Sequence, residues 1–314
     1  MSEVEAVGVR GWGSVAARAG SLLPEDLDPL YQPLLGRRLR KVGRFIKLAV
    51  AGAAAAVHRS GLGTFPTERT GVFLGTGLGN LPDLVGFTEA VLGGETAPSP
   101  TQFANSVGNA GAFYVAQAYG LTGPTLSVSQ DEVSFECALL SAVALFEAGD
   151  LDVALVGGVD VYWPGEAAQR ARMGYGPHEP PFLGEGSGWV VLERRSEHSA
   201  AELAEVSVSL PDDPGVPGDW VRHLADPPVP APTMICLGTR LGARAEDLKD
   251  SLPPHASLIE SGFGTYLAES GANLCVLLDR AAAGWGSLHT AAETREGLRG
   301  RVSVRAAGRK GGPG

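Results

Sequence analysis

Tyr119-Gly120-Leu121-Thr122-Gly123-Pro124-Thr125-Leu126-Ser127-Val128-Ser129, within the stretch from Pro98 to Cys137, decides the fold. Ser99-Pro100 and Asn109-Ala110 precede it, and a helical segment leads into it. Thr125–Ser129 reads as a strand, followed by a sharp turn and an amphipathic helix over residues 132–148 with Gly149 past its end. Strand, turn and helix make an elbow.

Outward from the elbow the same alternation continues. Residues 41–59 carry small and apolar side chains suited to a tightly packed helix closed by Gly61, and Gly71–Gly75 reads as a short buried strand. Residues 105–119 read as one helix, in which Gly108 and Gly111 mark close packing. Val153–Gly158 is continuously apolar, as in a strand covered on both faces, and Trp189–Leu192 is another strand. This alternation implies an α/β protein with a mostly buried sheet. After Arg195 the pattern weakens. Residues 211–233 are rich in Pro, Asp and Gly and read as a connector. A strand near Met234–Leu237, a helix near Ala243–Leu252 and a helix through Leu267–Ala283 follow, and Gly308–Gly314 reads as a frayed tail. The chain divides near residue 200, into a well-patterned half (1–200) and a shortened half (201–314).

The totals exclude several classes. A chain of 314 residues with 44 % apolar and 19 % charged residues can bury a core and is not disordered. Its net charge of −10 argues against nucleic acid, which demands a clustered basic face. The apolar run at 45–57 is too short, and Lys47 too polar, for a membrane span. Cys137, Cys236 and Cys275 give no disulfide framework, which suits reduced thiols in a cytoplasmic protein.

Local motifs add little chemistry. Gly75-Thr76-Gly77-Leu78-Gly79 has the spacing of a dinucleotide loop, but Asn80 replaces the third glycine and Pro82 interrupts the first helical turn, so it reads as a plain tight turn. His58, His178, His198, His223, His255 and His289 form no pair at metal-ligand spacing, and most read as solvated, so no metal or other cofactor is expected. Gly186-Ser187-Gly188 lacks the frame of a hydrolase nucleophile.

In order and spacing, the Pro98–Cys137 landmarks resemble the β-ketoacyl synthases. Arg44-Phe45-Ile46 with its Ala-rich helix, Gly71–Gly79, Gly149-Asp150, Asp152–Gly158 and Gly184–Gly188 extend the likeness over most of the first half. The resemblance implies a thiolase-like five-layer αβαβα fold of two related halves, here with the second shortened, and a chain that forms dimers through the first half. It also implies that the elbow should carry a nucleophilic cysteine, where this chain has Glu132. A carboxylate is a far weaker nucleophile toward a thioester and would give an unstable mixed anhydride. Cys137 lies more than a turn further into the helix. The family's His-Gly-Thr is matched by Leu237-Gly238-Thr239. Its Lys-Ser-x-x-Gly-His is matched by Glu260-Ser261-Gly262-Phe263-Gly264-Thr265, followed by Ala268–Ala272. Leu237 and Thr265 thus stand for the two imidazoles that assist decarboxylation, and Glu260 for the lysine. The closing Gly-Phe-Gly-Gly loop is matched only faintly by Gly308–Gly312.

The leading expectation is therefore a non-condensing, chain-length-factor-like subunit of polyketide or fatty-acid-type biosynthesis. It would pair with an active ketosynthase, or with itself, meet acyl carrier protein through that complex, and shape the acyl tunnel. The segment after Ser99-Pro100 would reach the partner's tunnel through Ser106, Val107, Gly108 and Asn109. Two alternatives stay open: a thiolase-fold enzyme of different chemistry, acyl transfer or ester formation, using Glu132 as base, and a structural or decayed homologue. For Glu132, with no cation nearby in sequence, the expectation is a side chain that fills the elbow and bonds backbone amides at the helix start; a salt bridge or a general base is the alternative.

Overall fold

The computed structural model of the chain describes residues 6–93, 97, 99–163, 165–176, 183–194, 196–210, 220–221, 224, 232–250, 252–281 and 286–306. In the first half the strands are β1 (Val7–Ala16), β2 (Thr70–Gly75), β3 (Thr125–Val128), β4 (Val153–Asp160) and β5 (Gly186–Arg194). In the second they are β6 (Ala201–Ser209), β7 (Thr233–Leu237), β8 (Ala256–Ile259), β9 (Ser287–Glu293) and β10 (Arg299–Ala306). All join one sheet in the order β3-β2-β4-β5-β1-β6-β10-β9-β7-β8.

That order contains a repeat. β2 runs parallel to β3 and β4, while β5 runs antiparallel to β4 and β1. Likewise β7 runs parallel to β8 and β9, while β10 runs antiparallel to β9 and β6. Each set places its strands in the spatial order third, second, fourth, fifth, first. The sets meet where β1 pairs with β6, Val7 opposite Leu203 and Val9 opposite Ala201.

Helices fill three layers around the two half-sheets. α6 (Ser134–Glu147) packs on β2 and β4 of one set and on β6 and β10 of the other. α10 (Ser270–Arg280) does the same with β5, β1, β9 and β7. These two form the middle layer. Phe135, Ala138, Leu139, Ala142 and Phe146 give α6 its buried stripe at helical spacing. α1 (Asp28–Leu35), α2 (Arg44–Ser60) and α5 (Ala110–Tyr119) cover the outer face of the first half-sheet. On the second, the described residues of the outer layer are α8 (Thr239–Gly242), α9 (Ala245–Lys249) and a cluster around Val221, Leu224, Ile235 and Leu248. Among the described residues no helix is long and apolar enough to cross a membrane.

Some expectations change. The helix expected over 105–119 is two helices, α4 (Pro100–Ser106) and α5. Val107 is extended at φ −76°, ψ 138°, and Asn109 caps α5, so the chain breaks around Gly108. The helix expected from residue 132 starts at Ser134, and Glu132 lies in a 3₁₀ turn over Asp131–Val133. Of the helix expected near Ala243–Leu252, the described residues form only the short α9, with α8 lying just before that span. In β1, Gly8, Gly11 and Gly13 interrupt the apolar residues and let the strand approach α2 closely; a Cβ on Gly11 would stand 2.6 Å from the Ala56 carbonyl oxygen of α2. Most of 211–233 and all of 308–314 lie outside the described residues.

Candidate functional site

The elbow forms where β3 hands over to α6. Asp131 adopts a left-handed conformation, φ +46°, which an L-residue other than Gly takes only at some cost. It is held there by Arg172 of α7 (Glu166–Met173), whose Nη2 lies 2.7 Å from Asp131 Oδ1, and by the Ser134 hydroxyl, 2.7 Å from the Asp131 carbonyl. This turn aims the next side chain, Glu132, across the junction of the two halves.

There Glu132 meets a cation. Arg240 Nη2 donates to Glu132 Oε1 at 2.9 Å and Nε approaches it at 3.2 Å. Arg240 also donates to the Met173 carbonyl, and its guanidinium lies 5.7 Å from the Tyr175 ring centroid. The expectation of a lone carboxyl bonding backbone amides is thus replaced by an ion pair joining the first half to the second. Burial pushes the Glu132 carboxyl up, and Arg240 pulls part of that back. Burial also pushes the Tyr175 phenol up to about 12, so it stays neutral.

Beside Arg240, Thr239 begins a second chain of bonds. Its hydroxyl donates to Glu269 Oε2 at 2.8 Å, its amide donates to Glu269 Oε1, and its Oγ1 lies 2.8 Å from Thr265 Oγ1. Thr265 is therefore in the site, buried and without imidazole. Leu237 turns instead toward the outer cluster of the second half, and the polar group delivered by its motif is Thr239. Glu260 is exposed beyond the end of β8 and makes no hydrogen bond or ion pair among the described residues. Ser106 and Val107 are half-buried, Gly108 and Asn109 exposed, and the space around Gly108 is open.

Two more acids lie at this junction. Glu269 is buried and pushed up to about 7 by desolvation, with Glu132 and Glu136 adding repulsion. Glu136, in the first turn of α6, is fully buried; neither carboxylate oxygen has a hydrogen-bond partner among the described residues, and burial pushes it up to about 7.

The Gly75–Gly79 turn closes on the chain's own carboxylate. Asp160, at the end of β4, accepts from Thr76 Oγ1 at 2.7 Å, Gly77 N at 3.0 Å, Leu78 N at 2.9 Å and Ala268 N at 2.9 Å. The tight turn expected there is thus held by an internal carboxylate, which also ties the halves together through Ala268. His289 is likewise not solvated. It is buried on β9 with Nδ1 2.8 Å from Ser303 Oγ, and burial holds it neutral, down to about 4.

Sequence reasoning missed Arg240, Glu269 and Asp160. Each adjoins a motif it had marked: Arg240 follows Thr239, Glu269 occupies a small-residue position of Ala268–Ala272, and Asp160 follows the glycines of β4. A charged residue inside an otherwise apolar or glycine-rich landmark was the available signal.

This repeated sheet with a helical middle layer and an elbow at the junction defines the thiolase-like class. The profile of the β-ketoacyl synthase N-terminal domain matches residues 5–198, and the chain belongs to that family. It is 26 % identical over 239 residues to the mitochondrial 3-oxoacyl-[acyl-carrier-protein] synthase of Arabidopsis thaliana, covering 68 % of this chain and 51 % of that protein. The chain therefore spans about half the length of this curated relative. Among solved structures it is similar to the ishigamide ketosynthase/chain length factor, with a TM-score of 0.75 at 21 % identity, covering 96 % of this chain and 100 % of that one. A β-ketoacyl synthase from Burkholderia phymatum gives 0.73 at 16 %, with coverage of 96 % and 100 %. A type II polyketide synthase acyl-carrier protein in complex with its ketosynthase bound to the hexaketide gives 0.70 at 15 %, with coverage of 96 % and 99 %. These structural likenesses concern the fold.

Proposed function

We propose that this chain is a non-condensing ketosynthase-like subunit, acting beside an active ketosynthase in polyketide or fatty-acid-type biosynthesis, in the cytoplasm. One observation carries the reading: at the elbow stands Glu132, its carboxyl engaged by Arg240, with the Thr239 and Thr265 hydroxyls beyond it. A paired carboxylate is neither a thiolate nucleophile nor a free general base, and a hydroxyl–hydroxyl contact cannot do the work of neutral imidazole donors. In this reading residues 1–200 and 201–314 are the two family halves, the second of them shortened.

Partnership is supported by the surface. None of the 13 residues of α3 (Leu81–Gly93) is buried, although the helix is largely apolar. Leu84 and Leu92 on it, Phe103 on α4, Phe113 on α5 and Leu126 on the edge strand β3 are all exposed. Such a surface belongs to subunits that are covered in use. The partner in this reading is an active ketosynthase, through which the chain meets acyl carrier protein and lends Ser106–Asn109 to the acyl tunnel.

The test is mass spectrometry of carrier-protein-bound intermediates, with the purified chain alone and with a partner synthase. Alone, no acyl primer should be extended by malonyl units; with the partner, the length distribution should depend on this chain. Extension by the chain alone overturns the reading.

A further inference from the structure

At the junction of the half-sheets three acids converge from three elements: Glu132 from the elbow, Glu136 from α6 and Glu269 from the residue before α10. Among the described residues Arg240 is the cation that serves this group, and both of its bonds to the trio go to Glu132. Glu269 receives only the amide and hydroxyl of Thr239. Glu136 faces Ser270, whose hydroxyl offsets only part of the effect of burial, and Gly300 of β10, where an added Cβ would lie 3.1 Å from the carboxyl carbon of Glu136.

The other titratable groups nearby do not neutralise them. Cys236 on β7, Cys137 on α6, Tyr266 and Tyr175 all face like charge from these acids and stay protonated. Arg299 and Arg301 flank Gly300 on β10 but pair with Glu293 and Glu205. Asp131 is paired to Arg172. A buried junction with, among the described residues, one arginine for three carboxyls cannot hold all three ionised, since an unpaired buried charge is strongly disfavoured.

We infer that Glu132, Glu136 and Glu269 form a proton-linked clasp: while Glu136 and Glu269 hold protons the two halves are closed on the elbow, and loss of those protons loosens the Glu132–Arg240 contact that joins them. The clasp is a property of this junction whether or not the chain condenses, so its test is independent of the reading above.

Unfolded glutamates titrate near 4.5, whereas burial moves Glu136 and Glu269 to about 7. Between those values the folded chain binds the extra protons, so stability is fully present below about 4.5 and is lost as pH rises through about 7. Each proton lowers the folding constant about tenfold per pH unit in this window, and two lower it about a hundredfold. Chemical denaturation of the full chain from pH 5 to 8 reads this directly. Glu136→Gln and Glu269→Gln, similar in size and always neutral, should each remove one proton's worth of slope. Amide exchange at residues 130–136 and 238–241 should quicken with pH beyond its intrinsic rate in the wild type and less in the variants. A slope unchanged by either substitution, or a wild type with flat stability, overturns the clasp. Should a variant not fold, ¹³C titration of the wild-type carboxyls decides instead: both acids still protonated at pH 6 supports it, and ionisation of both below pH 5 removes it.

Discussion

Glu132→Cys returns sulfur to the elbow and asks whether sulfur alone was missing. A cysteine Sγ ends two bonds short of the glutamate oxygen that lies 2.9 Å from Arg240 Nη2, which leaves the sulfur roughly 5 Å from the guanidinium. At an effective dielectric constant of about 20, a thiolate at that distance gains about 3 kcal/mol, equivalent to about 2 pK units. The site is partly buried, with side-chain exposures of 22 % and 12 % for the pair, so desolvation returns part of that gain. The expected thiol therefore titrates about 1 unit below a free cysteine, near pH 7.5. Iodoacetamide alkylation as a function of pH measures it, with Arg240→Met in the same background as control. That control should move the midpoint back to about 8.5 or higher. The sulfur should accept an acyl group from a thioester, yet malonyl extension should stay absent, because Thr239 and Thr265 supply no imidazole. An alkylation midpoint indifferent to Arg240 would refute the geometry of the pair. Carbon–carbon bond formation by the variant would refute the weight placed on the missing histidines.

Asp160→Ala orphans three buried amides and the Thr76 hydroxyl; the loss should be about 4 kcal/mol or more in urea unfolding, and less than 1 kcal/mol would deny Asp160 its role as a tie between the halves. Gly108→Phe enters open space, so the fold should persist, while co-expression with a partner synthase should give a product shortened by at least one extender unit; an unaltered length would take this segment out of the tunnel.

The first half was legible because its landmarks are local. A buried strand announces itself by an unbroken apolar run, as in β4, and a helix by its period, as in α6, so the elbow could be placed before any coordinate was known. The second half was faint for an equally physical reason. β6 and β10 have no unbroken apolar run, setting single residues such as Val206, Val208, Val302 and Val304 among polar ones, and β9 mixes Leu288 with His289 and Thr290, so these strands depend on the pairing of their neighbours.

The candidate site divides the same way. That Glu132 stands at the elbow, and that no cysteine stands there, follows from the sequence through its resemblance to the β-ketoacyl synthases. What Glu132 touches does not: Arg240 lies 108 residues further along, and only the stacking of the second half-sheet against the middle layer brings it within reach. The carboxyl in the Gly75–Gly79 turn, the proton-bearing environment of Glu136 and Glu269, and the inward place of His289 are equally products of packing. Charge and hydrogen-bond partners in a buried junction come from chain segments far apart in order, so side-chain identity was settled by the sequence and electrostatic state by the tertiary structure.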